Sequence, residues 1–119
     1  MRPHEKLDVW KTSVEMVTKV YEYTKAFPAD ERFGLTSQIR RAAVSVPANI
    51  AEGAARQHNK EFVQFLFVAQ GSTSELETEI LIAKKLGYLD EVRYIELHAE
   101  INTIARMLVG LTNHVKLRK

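Results

Sequence analysis

Between Phe33 and Arg56 the chain reads FGLTSQIRRAAVSVPANIAEGAAR, a helix-compatible stretch rich in small residues in which only Arg40, Arg41, Glu52 and Arg56 are ionised. At a hundred degrees per residue, Leu35, Ile39, Ala42, Val46, Ile50 and Gly53 fall on one face, and Val44, Pro47, Ala48, Ala51 and Ala55 cover much of the other. A helix of this kind is buried on two sides. In a chain of 119 residues one side can face the chain's own core, and the second is expected to face another subunit. Function in such a molecule starts from assembly more than from a pocket.

The rest of the sequence fits one domain, 1–119, because a hydrophobic content of 45% suffices for a single core and not for two. The chain has no cysteine, which removes disulfide scaffolds and thiolate metal sites and agrees with a reducing, cytoplasmic compartment. No stretch reaches the roughly 18 uncharged apolar residues of a membrane span, so no membrane partner is expected. The formal charge is only +2, although the pI of about 8.9 and the closing KLRK lean towards anionic partners.

Strand signals are nearly absent, whereas apolar residues recur at spacings of three and four throughout. Leu7, Trp10, Val14, Val17, Tyr21 and Thr24 define a first stripe; Leu66, Ala69, Thr73, Leu76, Ile80 and Ala83 another; Tyr94, Leu97, Ile101, Ile104, Leu108, Leu111 and Val115 a last one. Asn59 and Asp90 are expected N-caps, and Gly87 a stop. The reading is an all-α, up-down antiparallel four-helix bundle with helices over 6–26, 34–56, 59–86 and 90–115. Pro47 lacks an N–H and crowds the preceding turn, which predicts a kink near Val44 to Pro47, or two shorter helices. Gly71 inside the third helix is expected to let another backbone approach closely.

Gln38, Arg41, Ser45, Asn49, Glu52 and Arg56 share a narrow arc of the second helix. They read either as solvated polar surface or as a structural network or subunit interface, with Glu75 of the third helix as a partner for Arg41. Catalytic patterns fail one by one. No Glu is followed by His three positions later, no His-Glu-x-x-His occurs, and the five glycines form neither a P-loop nor a dinucleotide fingerprint. No base stands beside Ser37, Ser45, Ser72 or Ser74 in any recognisable pattern, and His4, His58, His98 and His114 read as ordinary surface or boundary residues. The chain is therefore expected to be no enzyme and to use no metal or cofactor.

The run from Phe27 to Gly53, with Arg40-Arg41-Ala42-Ala43 ahead of Asn49-Ile50-Ala51-Glu52-Gly53, is followed by FLFVAQGSTSELETE from Phe65 and AKKLGYL from Ala83. Together these closely resemble the bacterial four-helix bundle family of 23S rRNA intervening-sequence proteins, also labelled S23 ribosomal proteins. The resemblance covers most of the chain and implies a ring-like homopentamer. The ribosomal label reflects gene location and implies neither a ribosome component nor an rRNA-processing enzyme. The bundle is also similar, at the level of fold alone, to the accessory proteins of diversity-generating retroelements.

Two functions follow. In the first, Arg2, Lys6, Lys11, Lys116, Arg118 and Lys119, repeated by symmetry, form a multivalent surface for RNA or another nucleic acid. In the second, apolar grooves dock a partner protein, a reading that exposed Phe62, Phe67 or Tyr88 would favour.

Overall fold

In the computed structural model, which describes residues 1–118, a 3-10 turn at Pro3–Lys6 leads into α1 (Asp8–Thr24), and a second turn at Ala29–Glu31 precedes α2 (Leu35–Ala54). Two longer helices, α3 (Asn59–Lys85) and α4 (Glu91–Leu117), complete the chain, with no strand among the described residues. The rod measures 48 × 23 × 22 Å. Packing runs around a square, α1 on α2, α2 on α3, α3 on α4 and α4 back on α1. Cross-helix bonds give the directions. Arg40 donates to Thr24, Ser45 bonds Ser72, Asn59 bonds Arg118 and Lys19 reaches Glu96. The first, third and fourth of these set the start of one helix beside the end of its neighbour, while Ser45 and Ser72 meet at mid-helix.

The core draws on every helix, with Met16 and Val20, Ile39 and Val46, Leu66 and Leu76, and Ile104 and Leu108 at 1% exposure or less. The apolar stripes of α3 and α4 are buried largely as their spacing dictates. In α1 the burial phase differs. Val9, Ser13, Met16, Val20 and Thr24 point inward, while Val14 and Tyr21 of the expected stripe are exposed. Two neighbouring stripes of α1 are both apolar enough to serve, and packing against α2 and α4 selects the one carrying Met16.

The helix ends show which local signals held. Asp90 accepts from the backbone N–H of Arg93 at 2.8 Å, an ordinary N-cap. Asn59 does not cap α3, since it is already helical. Its amide is drawn to the end of α4, donating to the Arg118 carbonyl at 3.2 Å and accepting from the Arg118 guanidinium at 2.8 Å. Gly87, at φ +82°, ends α3 in a Schellman turn, with Tyr88 N–H on the Ala83 carbonyl at 2.9 Å and Gly87 N–H on the Lys84 carbonyl at 3.0 Å.

α2 runs unbroken across a buried Pro47, not as two shorter helices. The close backbone approach expected at Gly71 does not occur, because nothing lies within 4 Å of where its Cβ would stand. That role belongs to Gly53, whose missing Cβ would meet Phe65 Cβ at 2.7 Å and Phe62 Cδ1 at 2.9 Å. The glycine lets the end of α2 seat directly on the start of α3.

Candidate functional site

Two regions concentrate polar chemistry. The first is the outer seam between α2 and α3, where an open cavity of about 590 Å³ is lined by Gln38, Arg41 and Ser45 from α2 and Ser72, Glu75 and Glu79 from α3. The helical arc predicted on α2 does face this seam, but it is not one buried network. Ser45 and Ser72 share a hydroxyl bond of 2.8 Å, and the Asn49 amide donates to the Ser45 carbonyl and hydroxyl at 2.8 and 2.9 Å. Glu52 stays outside, in an exposed pair with Arg56 at 3.0 Å. Gln38, Arg41 and Glu75 are exposed as well, and the expected Arg41–Glu75 ion pair is absent among the described residues, although both line the same cavity. Long side chains at a wet rim gain little by pairing, so neither is held.

Sequence reading passed over the most unusual group of this seam. Glu79 is only 7% exposed, and its Oε1 is buried without a hydrogen-bond partner. Burial, reinforced by the neighbouring Glu75 carboxylate, pushes its carboxyl up to about 7. A signal existed in the sequence: Ser72, Glu75 and Glu79 lie on one arc of α3, the counterpart of the polar arc of α2.

The second region is the end of the rod where α1 and α3 begin and α2 and α4 finish. Here the structure gathers Arg2, Lys6 and Lys11 with Lys116 and Arg118, all five exposed, while Lys119 lies outside the described residues. It also brings in Arg56 and Lys60, which the terminal reading omitted, giving seven cations against Glu5, Asp8, Glu52 and Glu61. Three of the cations rest on rings: Arg56 on Phe65 at 4.9 Å, Lys116 on Phe67 at 5.0 Å and Arg118 on Phe62 at 5.7 Å. A smaller cavity of about 250 Å³ between Asn59, Lys60, Val63, Gln64 and Lys116 opens on the same end. Of the aromatics proposed for protein docking, Phe62 is buried and Tyr88 half-buried, donating its hydroxyl to Glu31 at 3.0 Å. Only Phe67, 44% exposed, remains accessible, beneath Lys116.

Among the described residues no group of three or more His, Asp or Glu side chains is placed to hold a metal ion. No described helix is long and apolar enough to cross a membrane.

The sequence profile of the 23S rRNA-intervening sequence protein family matches residues 5–110. Among solved structures, the chain is similar to a protein of unknown function from the S23 ribosomal protein family of Bacteroides thetaiotaomicron. That likeness has 22% identity and a TM-score of 0.81 and covers 87% of this chain and 97% of the other. At that identity it speaks for the fold. A search of curated proteins gives no match.

Proposed function

The chain belongs to the 23S rRNA-intervening sequence protein family, and on that premise we propose that it is a non-catalytic, self-assembling cytoplasmic bundle that holds RNA against its basic end. The observation that carries this reading is the collection of cations in and beside the ends of the four helices at one end of the rod, where carboxylates are outnumbered. Lys116, Arg118 and Arg56 are braced on aromatic rings, which limits the side-chain freedom they would lose on meeting a phosphate. One such end binds weakly. Several held on a ring, which we take as the homopentamer, engage one RNA at once and raise the avidity without new chemistry. Five copies of the 13.6 kDa chain give about 68 kDa by light scattering, as closed cyclic symmetry requires. A monodisperse monomer overturns the assembly.

Filter binding of a structured RNA at low and moderate salt tests the nucleic-acid part. Affinity is expected to fall steeply with salt, since each neutralised phosphate releases its counterion. Replacing Lys6, Lys60 and Lys116 together by Gln takes up to three cations per chain away from the phosphates and should flatten the slope by about one for each phosphate no longer neutralised. These lysines are exposed, so the bundle should melt as before. Absence of binding at low salt leaves protein scaffolding as the better account.

A further inference from the structure

We propose that the α2/α3 groove is a socket for a guanidinium supplied by a second copy of the chain, and that Arg106, on the outer stripe of α4, is the group that enters it. The inference rests on the self-assembly proposed above and names the contact that makes it. Glu79 carries the argument on the socket side. A carboxylate oxygen that is buried, lines a cavity and has no donor is expensive to keep, unless a donor arrives from outside. Glu75, one turn earlier on the same arc, adds a second acceptor at the rim. The cavity's own cation, Arg41, lies beyond ion-pair distance of both carboxylates and is exposed. Around the socket the surface is apolar, with Val44 and Ala48 on α2 and Val68, Ile82 and Leu86 on α3 exposed. This is the surface of a contact that excludes water around one charged pair.

The complementary surface lies on α4. Val92, Ile95, Ala99, Asn102, Arg106 and Val109 are spaced three, four, three, four and three, and all six stand exposed on the outer side of the helix. Arg106 is the one charge on that stripe, and no hydrogen bond or ion pair engages it among the described residues. It also stands at the right height. The α3/α4 seam sets Glu77 beside His98 and Gln70 beside Thr112, which places position 106 level with the stretch of α3 that holds Ser72. A rotation axis parallel to the rod preserves that level between neighbours. From there Glu75 is three residues along α3, about 4.5 Å of rise, within the span of an arginine side chain, and Glu79 lies one turn further along the same arc, about 6 Å beyond it. Socket and stripe lie on different sides of the rod, so the contact is head-to-tail, the kind that forms a ring when its rotation closes.

Light scattering across a dilution series tests the pairing. Arg106→Gln is expected to weaken association at least tenfold, giving the 13.6 kDa chain at concentrations where the parent stays assembled. Arg41→Gln should leave the mass unchanged, and the swap Glu75→Arg with Arg106→Glu should restore it. Because Arg106 has no intrachain partner, its loss should leave the melting curve of the dilute chain unaltered. In a chain without native cysteine, Glu75→Cys with Arg106→Cys should give an oxidised ladder that extends beyond the dimer. If Arg106→Gln keeps the parent's mass, this socket is wrong while the assembly stands. If the parent is itself monomeric at every concentration, the assembly and the socket fall together.

Discussion

Two opposite seams of the bundle each present two carboxylates four residues apart on one helix, and their fates are opposite. On the α1/α4 seam, Glu96 and Glu100 share Lys19 at 2.7 and 2.5 Å, and the Tyr23 hydroxyl donates to Glu96 at 2.7 Å. The lysine is held above its ordinary value chiefly by its hydrogen bonds to Glu100 and Glu96, and Glu96 is held below its own, first by Lys19 and then by Tyr23. On the α2/α3 seam, Glu75 and Glu79 have no such cation, and the buried member is pushed the other way, up to about 7. A lysine supplied from across the seam makes the first site self-sufficient. Its absence makes the second a site in waiting, and that difference is why we look for a partner at α2/α3 and for none at α1/α4.

The largest effect should come from forcing the α2/α3 seam open where it is tightest. In Gly53→Val the new side chain begins within 3 Å of Phe65 Cβ and Phe62 Cδ1, so helix α2 or α3 has to move. Overpacking of this kind costs about 1–3 kcal/mol or more, which in a domain of this size lowers Tm by roughly 10 °C. Gly71→Ala is the control. It stands in open space in the middle of α3 and should gain stability, by up to about 1 kcal/mol, from helix propensity alone. A Gly53→Val chain that melts with the parent would show that the two helices do not depend on this contact.

The contrast between the seams was only half legible beforehand. Four helices, their order and the inward faces of α2, α3 and α4 follow from apolar residues at spacings of three and four, a signal that packing reinforces. In α1 the same signal is degenerate, since Leu7, Trp10, Val17 and Val9, Met16, Val20 lie on adjacent arcs, and only the neighbouring helices decide between them. The polar arc of α2 was visible for the same reason as the apolar ones. The arc of α3 that carries Glu79 was visible too, but the burial of Glu79 was not, because a carboxylate beside Ile80 reads as surface until the neighbouring helix buries it. Asn59 failed as a cap for a tertiary reason, the arrival of Arg118 from the far end of the sequence. The basic end was read from the termini alone, and Arg56 and Lys60 join it only once the helices alternate in direction.

Acidity offers the next test, smaller than the first. A carboxyl whose folded value exceeds its unfolded one favours the folded state while it keeps its proton. Glu79 therefore contributes stability that is fully present below its ordinary value of 4.5 and is lost as pH rises to about 7. The groups facing it are Glu75 on its own helix and Arg41 on α2. For the dissociated chain, the loss across that window should be on the order of 2 kcal/mol. Glu79→Gln cannot ionise and should flatten that part of the curve. Denaturant melts of parent and variant at pH 5 and 8 measure the difference, and parallel curves would show that Glu79 is solvated like its neighbour Glu75.

The smallest effect is expected at the satisfied seam. Lys19→Met keeps the stem of the side chain and removes the charge, leaving Glu96 and Glu100 facing each other without a cation. Both carboxylates reach water, so the loss should be smaller than at either site above and should shrink further in salt. The sign with pH is opposite to that at Glu79. A carboxylate held below its ordinary value stabilises the fold above that value and stops doing so as pH falls through the folded one. In the parent, stability from this seam should therefore decline on acidification. In Lys19→Met that decline should nearly vanish, and the Glu96 carboxyl signal followed by NMR should titrate at higher pH, held down only by what the Tyr23 hydroxyl still donates. If Glu96 titrates unchanged, the cation was never what distinguished the two seams, and the unpartnered state of Glu79 would need another cause.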